Sequence, residues 1–245
     1  MRLLAVTLLV CTPSVCFGFF ASINNWGFSE FPETGLNDIT FPFNVANAPH
    51  TRGVYFAQMF GFQNIKESGY TGLQPQEDDN GNSVIRGVFS SFQNGTTTNH
   101  PNCSPGADGG PGVSCGFIFP ANYNHIFNMT VQNIGNTTWR GTAVDTVTKN
   151  ATEIGVWTLP PESGAIVNGQ LGFFEYFLWN GGGESHNCST LPFSEVTMFS
   201  PTSMANGAVG GHIISVYEDS SECSTHVNMS YTAVPGGYNI KAGFL

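Results

Sequence analysis

One acidic side chain stands in a run otherwise made of rings and aliphatics. In Leu171-Gly172-Phe173-Phe174-Glu175-Tyr176-Phe177-Leu178-Trp179 both faces of an extended chain are apolar. Strand alternation puts Glu175 with Leu171, Phe173, Phe177 and Trp179. A carboxylate among aromatic groups either finds hydrogen-bond partners or has its pKa raised. A raised carboxyl suits a general acid, and flanking Trp and Tyr rings suit sugar binding. The competing structural reading pairs Glu175 with Arg86, Arg140 or backbone amides of an adjacent strand. Glycoside hydrolysis ordinarily uses two carboxylates across the scissile bond. Glu184, Glu195, Asp145 and Glu218 are candidate partners, and none is tied to Glu175 by spacing. Glu175 is therefore the one candidate catalytic residue.

Other strings of chemical interest carry less. Gly112-Val113-Ser114-Cys115-Gly116 fits a nucleophile elbow as letters, but an elbow needs a strand before the Ser and a helix after it. Here a Gly/Pro-rich loop precedes Ser114 and a strand-like FIF follows. Glu77-Asp78-Asp79-Asn80-Gly81 clusters carboxylates without the closing Glu of a calcium loop, and Asn-Gly between two strand-like runs reads as a hairpin turn. The histidines His50, His100, His125, His186, His212 and His226 are scattered, and neither H-E-x-x-H nor a C-x-x-C is present. No metal site and no cofactor is expected.

Such side chains must be placed by strands, because period-two alternation recurs from residue 53 onward with turn signals between segments. The expected strands include 53–63, 69–76, 83–93, 116–121, 125–133, 138–148, 153–160, 170–180, 194–200, 211–219, 225–234 and 237–244. No stretch shows a capped helical stripe. About twelve short strands with Gly-rich turns predict an all-β fold, a single-domain β-sandwich of jelly-roll type. The aromatic segment 19–52 is expected to pack across it as strands or as an arm covering an edge.

Composition narrows the setting. Only 10% of the 245 residues are charged, against about 25% in an average soluble domain, which excludes coiled coils and acidic disordered regulators. A formal charge of −10 repels phosphate backbones, so nucleic acid is not an expected partner. Arg2 followed by the apolar run Leu3–Val10 has the form of a secretory signal peptide over residues 1–18, leaving 19–245 as one secreted domain. The run is too short to span a bilayer, and no later stretch predicts a transmembrane segment. Beyond it, Cys103, Cys115, Cys188 and Cys223 allow three pairings, of which Cys103–Cys115 with Cys188–Cys223 closes the loop least able to hold itself together. Seven sequons, at Asn94, Asn102, Asn128, Asn136, Asn150, Asn187 and Asn228, point to a secreted, extracellular glycoprotein. Alternation places Asn128 opposite Phe127, Met129 and Val131, and Asn228 opposite Val227, Met229 and Tyr231, so both acceptors face solvent.

GVYFAQMFGF, then GYTGLQPQ, then RGVFSSF resembles the opening of secreted proteins grouped as the domain of unknown function 3472 family. The later GFFEYF and the cysteine-closed Gly106–Cys115 loop extend the likeness, which covers roughly residues 50–200. The family has no established activity; a carbohydrate-binding-like module on some members implies an extracellular polysaccharide. The positions matched are Tyr70, Gly72, Gln74 and Glu175, with Gln74 able to orient a sugar hydroxyl or brace a bulge beside Tyr70. The first expectation is thus a carbohydrate-recognition sandwich, not an enzyme, with Tyr70, Gln74, Glu175 and Trp179 as ligand-binding residues and Trp26 as a further platform. Its partner would be an extracellular glycan or matrix component. The alternatives are a structural protein of a matrix, cell wall or host interface, and a polysaccharide-active enzyme using Glu175 as acid or base.

Overall fold

The computed structural model describes residues 21–179, 187–218, 223 and 228–244. The expected signal peptide, Glu184, His186 and His226 lie outside the described residues. In chain order the strands are β1 (Ala21–Glu30), β2 (Asp38–Asn44), β3 (Val54–Phe60), β4 (Gly69–Pro75) and β5 (Val84–Ser91). They continue as β6 (Cys103–Ala107), β7 (Gly110–Pro120), β8 (Ile126–Gly135), β9 (Thr138–Asp145) and β10 (Ala151–Thr158). The last are β11 (Gln170–Tyr176), β12 (Ser194–Phe199), β13 (Val209–Glu218), β14 (Ser230–Val234) and β15 (Gly237–Ala242). An eight-stranded sheet runs β13-β1-β11-β3-β4-β5-β7-β6, and a seven-stranded sheet runs β10-β9-β8-β2-β12-β15-β14. All the strand pairings are antiparallel. This is the all-β sandwich that the alternation predicts, with fifteen strands rather than about twelve.

The extra strands come mostly from two places. Segment 19–52 contributes β1 and β2, which sit inside their sheets rather than across an edge. β2 shows why: Ile39, Phe41 and Phe43 alternate inward and are fully buried, so the strand needs neighbours on both sides. The Gly/Pro loop before Ser114 is itself a hairpin, β6 turning into β7 through residues with positive φ at Asp108 and Gly109. Ser114 lies within β7, its hydroxyl 2.9 Å from that of Ser90, and the chain stays extended to Pro120. A nucleophile elbow is thereby excluded. The Asn-Gly turn forms as expected: Asn80 and Gly81 have φ of 49° and 77°, and Asp79 and Asn82 exchange two backbone hydrogen bonds of 2.9 Å.

Between the sheets lies a core of rings, including Trp26, Phe41, Phe43, Phe56, Phe89, Trp139, Trp157 and Phe174. Phe89 stacks on Trp157 with centroids 4.5 Å apart and planes 13° apart. Glycine makes this approach possible: a Cβ at Gly141 would lie 2.3 Å from the Phe89 ring. Cys103–Cys115 ties β6 to β7, and Cys188–Cys223 ties the segment before β12 to that before β14. Closing a loop the length of the first is worth about 3 kcal/mol in the chain-entropy view. Among the described residues no helix is long and apolar enough to cross a membrane.

The sheets differ in one respect that matters for function. β8 buries only its inner face, with Phe127, Met129 and Val131 inward and Asn128 half-buried outside, as alternation requires. β3 and β4 are buried at every position. The outer face of the first sheet, turned away from the second, therefore carries a second apolar cluster of Ile23, Tyr55, Ala57, Met59, Tyr70, Val88 and Phe173. Tyr231 departs from expectation: β14 is an edge strand with both faces in water, and this side chain is exposed.

Candidate functional site

Register assembles the site on that outer face. Glu175 of β11 pairs with Tyr55 of β3. Pairing of Phe56 with Leu73 sets Tyr55 beside Gln74 of β4, and Gln74 pairs with Arg86 of β5. Four polar side chains, Glu175, Tyr55, Gln74 and Arg86, thus form one row across four neighbouring strands. With strands about 4.8 Å apart, the Glu175 and Gln74 backbones are roughly 10 Å apart. That distance lets a carboxylate and a carboxamide approach the same bound atom from either side. Glu175 and Gln74 are each 7% exposed.

The middle of the row is taken by a buried aromatic side chain. Tyr55 stands between the two, yet its ring packs edge-on against Tyr70 and Phe173, with centroids 5.3 and 5.4 Å away. Ala57 and Gly72 pair across β3 and β4 on the same face, and a Cβ at Gly72 would lie 2.0 Å from the Phe56 carbonyl oxygen. Arg86 Nη1 donates a 2.8 Å hydrogen bond to Gln74 Oε1. Because a guanidinium only donates, this bond fixes the orientation of the amide and turns its Nε2 hydrogens away from Arg86.

A second carboxylate reaches this face from the β6–β7 turn. Asp108 occupies the exposed tip, and both its oxygens accept from the Tyr70 hydroxyl, at 3.1 and 3.2 Å. Packing over the Tyr70 ring partly desolvates the Asp108 carboxyl and pushes it above its usual range, against the lowering effect of that hydrogen bond. The Tyr55 hydroxyl is raised well above its ordinary value, by burial first and then by the neighbouring Tyr70, Asp108 and Glu175. Among the described residues it has no hydrogen-bond partner.

The sequence-derived candidates separate accordingly. Tyr70, Gln74 and Glu175 share the outer face. Trp179 does not join them by alternation, because β11 stops at Tyr176 and Phe177–Trp179 forms a 3-10 turn. Trp179 instead packs against the inner core, with its ring edge-on to Tyr176 at 5.3 Å. Trp26 is 1% exposed and donates its indole N–H to the Met59 carbonyl at 3.0 Å, so it is no sugar platform. Tyr70 is likewise enclosed by rings rather than offered flat to solvent. Arg140 is on the second sheet, bound to Gln132 at 2.7 Å, and Arg86 shares the row with Glu175. The carboxylates considered as partners lie elsewhere: Glu195 with Asn239 and Lys241, Asp145 with His125, Glu218 at the end of β13. Tyr55 and Asp108 escape sequence reasoning. The signal for Tyr55 was present in VYFAQMF, a strand apolar on both faces; nothing in the sequence puts a hairpin tip over β4.

Three of the histidines are stitches between segments rather than a cluster. His50 meets Asp78 at 2.6 Å, His100 meets Glu153 at 3.0 Å, and His125 meets Asp145 at 2.8 Å. Among the described residues no three His, Cys, Asp or Glu side chains gather to hold a metal ion. Five sequon asparagines, Asn94, Asn136, Asn150, Asn187 and Asn228, are exposed, and Asn102 and Asn128 are half-buried.

No family model matches this chain, and no curated protein matches it in sequence. Among solved structures it is similar to scytalido-glutamic peptidase bound to a transition-state analogue inhibitor, with 13% identity, 91% of this chain and 98% of that chain covered, and a TM-score of 0.46. It is also similar to the same peptidase bound to a peptide-based transition-state analogue, with 11% identity, the same coverage and a TM-score of 0.45. A third is SCP-B, a member of the eqolisin family of peptidases in complex with the tripeptide Ala-Ile-His, with 10% identity, 91% and 98% covered and a TM-score of 0.42.

Proposed function

We propose that this protein is a secreted hydrolase that lays an extended peptide across the outer face of its first sheet and cleaves an amide bond there. Glu175 acts as general base and then general acid, and Gln74 donates to the carbonyl oxygen. The observation that supports this reading is the shared row: one carboxylate and one oriented carboxamide, two strands apart, with the Tyr55 ring between those strands packed against Tyr70 and Phe173.

The chemistry follows from the groups. Glu175 takes a proton from water as the water oxygen bonds to the carbonyl carbon. The carbonyl oxygen gains negative charge, which a Gln74 N–H stabilises. Glu175 then returns the proton to the leaving nitrogen as the C–N bond breaks. A single carboxyl suffices as the proton carrier, whereas glycoside cleavage ordinarily uses two flanking the bond. An oxyanion donor of this kind contributes about 10²–10³ in rate. Arg86, by holding Gln74 Oε1, keeps the donating end of the amide toward the substrate.

Two disulfides support the secreted setting, as do the sequons on exposed or half-buried asparagines. Kinship with the domain of unknown function 3472 family belongs to the same proposal and rests on Tyr70, Gly72, Gln74 and Glu175. A glycan or matrix partner would have no flat ring to stack on at Trp26, in the core, or at Tyr70, edge-on to Phe92 and Phe173.

The test is a digest of a mixed peptide library, followed by mass spectrometry from acid to neutral pH, with matched oligosaccharides in parallel. Peptide cleavage lost in both Glu175→Gln and Gln74→Ala supports the proposal, provided both variants melt near the wild-type temperature. Absence of peptide products, or cleavage that survives Glu175→Gln, overturns it.

A further inference from the structure

A cleft of about 460 Å³ opens at one end of the sandwich, on neither face of the Glu175 row. Its volume falls within the roughly 300–1,000 Å³ of small-ligand sites. Buried Phe119, Phe127 and Ala143 contribute its apolar lining, and Asn82, Asn122 and Thr148 its amide and hydroxyl groups. His125 and Asp145 stand in the wall, with side chains only 19% and 13% exposed. Asp145 is locked in place: Oδ2 faces His125 Nδ1 at 2.8 Å, while Oδ1 accepts from the Val147 and Thr148 backbone N–H groups at 2.8 and 3.2 Å. That bond engages Nδ1 and leaves Nε2 as the ring nitrogen still able to meet a ligand. Apolar lining with amides and hydroxyls suits a neutral polyhydroxyl group more than an ion.

The chain carries the means of placing such a group there. Asn150 and Thr152 are the acceptor and the hydroxyl of one sequon, and both line this cleft. Asn150 is exposed and follows Lys149, whose φ of 66° marks a tight turn into β10. We propose that an N-linked glycan on Asn150 folds back into this cleft, its first sugars packing on the protein as part of the folded structure. Attachment joins Asn150 Nδ2 to the anomeric carbon of a lipid-diphosphate-linked oligosaccharide; the amide nitrogen loses a proton and the lipid diphosphate leaves. Asn94, Asn136 and Asn228 are exposed as well, but none of them lines this cleft.

The inference rests on the secretory reading, and the experiment separates the two. The full chain, with its own leader, is secreted from yeast. Each sequon's occupancy is read by mass spectrometry, before and after native treatment with an endoglycosidase. The expected result is a filled Asn150 whose glycan is released at least tenfold more slowly than those of Asn94 or Asn136, and at the same rate once the protein is denatured. Asn150→Gln and Thr152→Ala should each lower the melting temperature by about 2–4 °C, while Asn94→Gln leaves it unchanged. Thr152→Ala keeps the Asn150 side chain, so an equal loss in both variants assigns the effect to the sugar. An unmodified Asn150 beside filled neighbours overturns this inference alone, as does native release at the rate of Asn94. A secreted chain with no glycan at any sequon overturns the glycoprotein reading together with it.

Discussion

Replacing Tyr55 by Phe should make the protein more stable. The Tyr55 side chain is 2% exposed, and among the described residues its hydroxyl meets no hydrogen-bond partner. Burying a hydroxyl without a partner costs about 1–3 kcal/mol by protein mutational measures. Removing the oxygen recovers most of that and leaves a void smaller than a methyl group, so a net gain of about 1 kcal/mol is expected. In a chain of this size that is about 2–4 °C in melting temperature. The neighbouring Tyr70 provides the opposite case. Its hydroxyl donates to Asp108 at 3.1 and 3.2 Å, so Tyr70→Phe strips a carboxylate of its donor and should cost about 1–2 kcal/mol. Thermal and urea melts of the two variants, read by circular dichroism, should therefore move in opposite directions. A Tyr55→Phe protein less stable than wild type by 1 kcal/mol or more would refute the assignment, since it would mean the hydroxyl is satisfied in the folded state. If the unspent hydroxyl serves the site, peptide cleavage by Tyr55→Phe should fall even as the melting point rises.

Other outcomes follow from the same geometry. Glu175→Gln keeps the side chain's shape but removes the proton carrier; turnover should fall by at least about 10², while the melting temperature stays near that of wild type. Gly155→Ala would place a Cβ 2.5 Å from Cys115 Sγ and 2.6 Å from Cys103 Sγ, so it should cost about 1–3 kcal/mol. Joint replacement of both cysteines by Ala should offset part of that loss, a non-additivity visible in a double-mutant cycle. At Asp145, burial raises the carboxyl, but hydrogen bonds from His125 and from the Val147 and Thr148 backbone outweigh it and hold the group at about 2. Its value is depressed from 3.8 on folding, so its contribution is fully present above about pH 4 and is lost as pH falls toward 2. Asp145→Asn should flatten the acid limb of the melting curve across that window, by about 1 kcal/mol once solvent screening at the cleft is allowed for.

The alternation of short segments was enough to establish a β-sandwich and to orient β8, and the Gly/Pro-rich loop between Cys103 and Cys115 was enough to pair the cysteines, because each depends on local pattern or on closing one short loop. It also singled out Glu175, as a charge in a strand apolar on both faces is anomalous from composition alone. Pairing register lies beyond that kind of reasoning. Which strands flank β11 is decided by long-range contacts among β1, β3 and β4, and those bring Tyr55, Gln74 and Arg86 into the row with Glu175. The same order buried Trp26, ended β11 before Trp179 and swung Asp108 across two strands onto Tyr70. A strand's own residues set which side chains share a face. Its neighbours set which of those faces meet water, a partner side chain or a substrate, and these neighbours come from segments more than a hundred residues apart for β3 and β11. The sequence thus determined the class of fold and the odd carboxylate; the tertiary structure decided what that carboxylate stands beside.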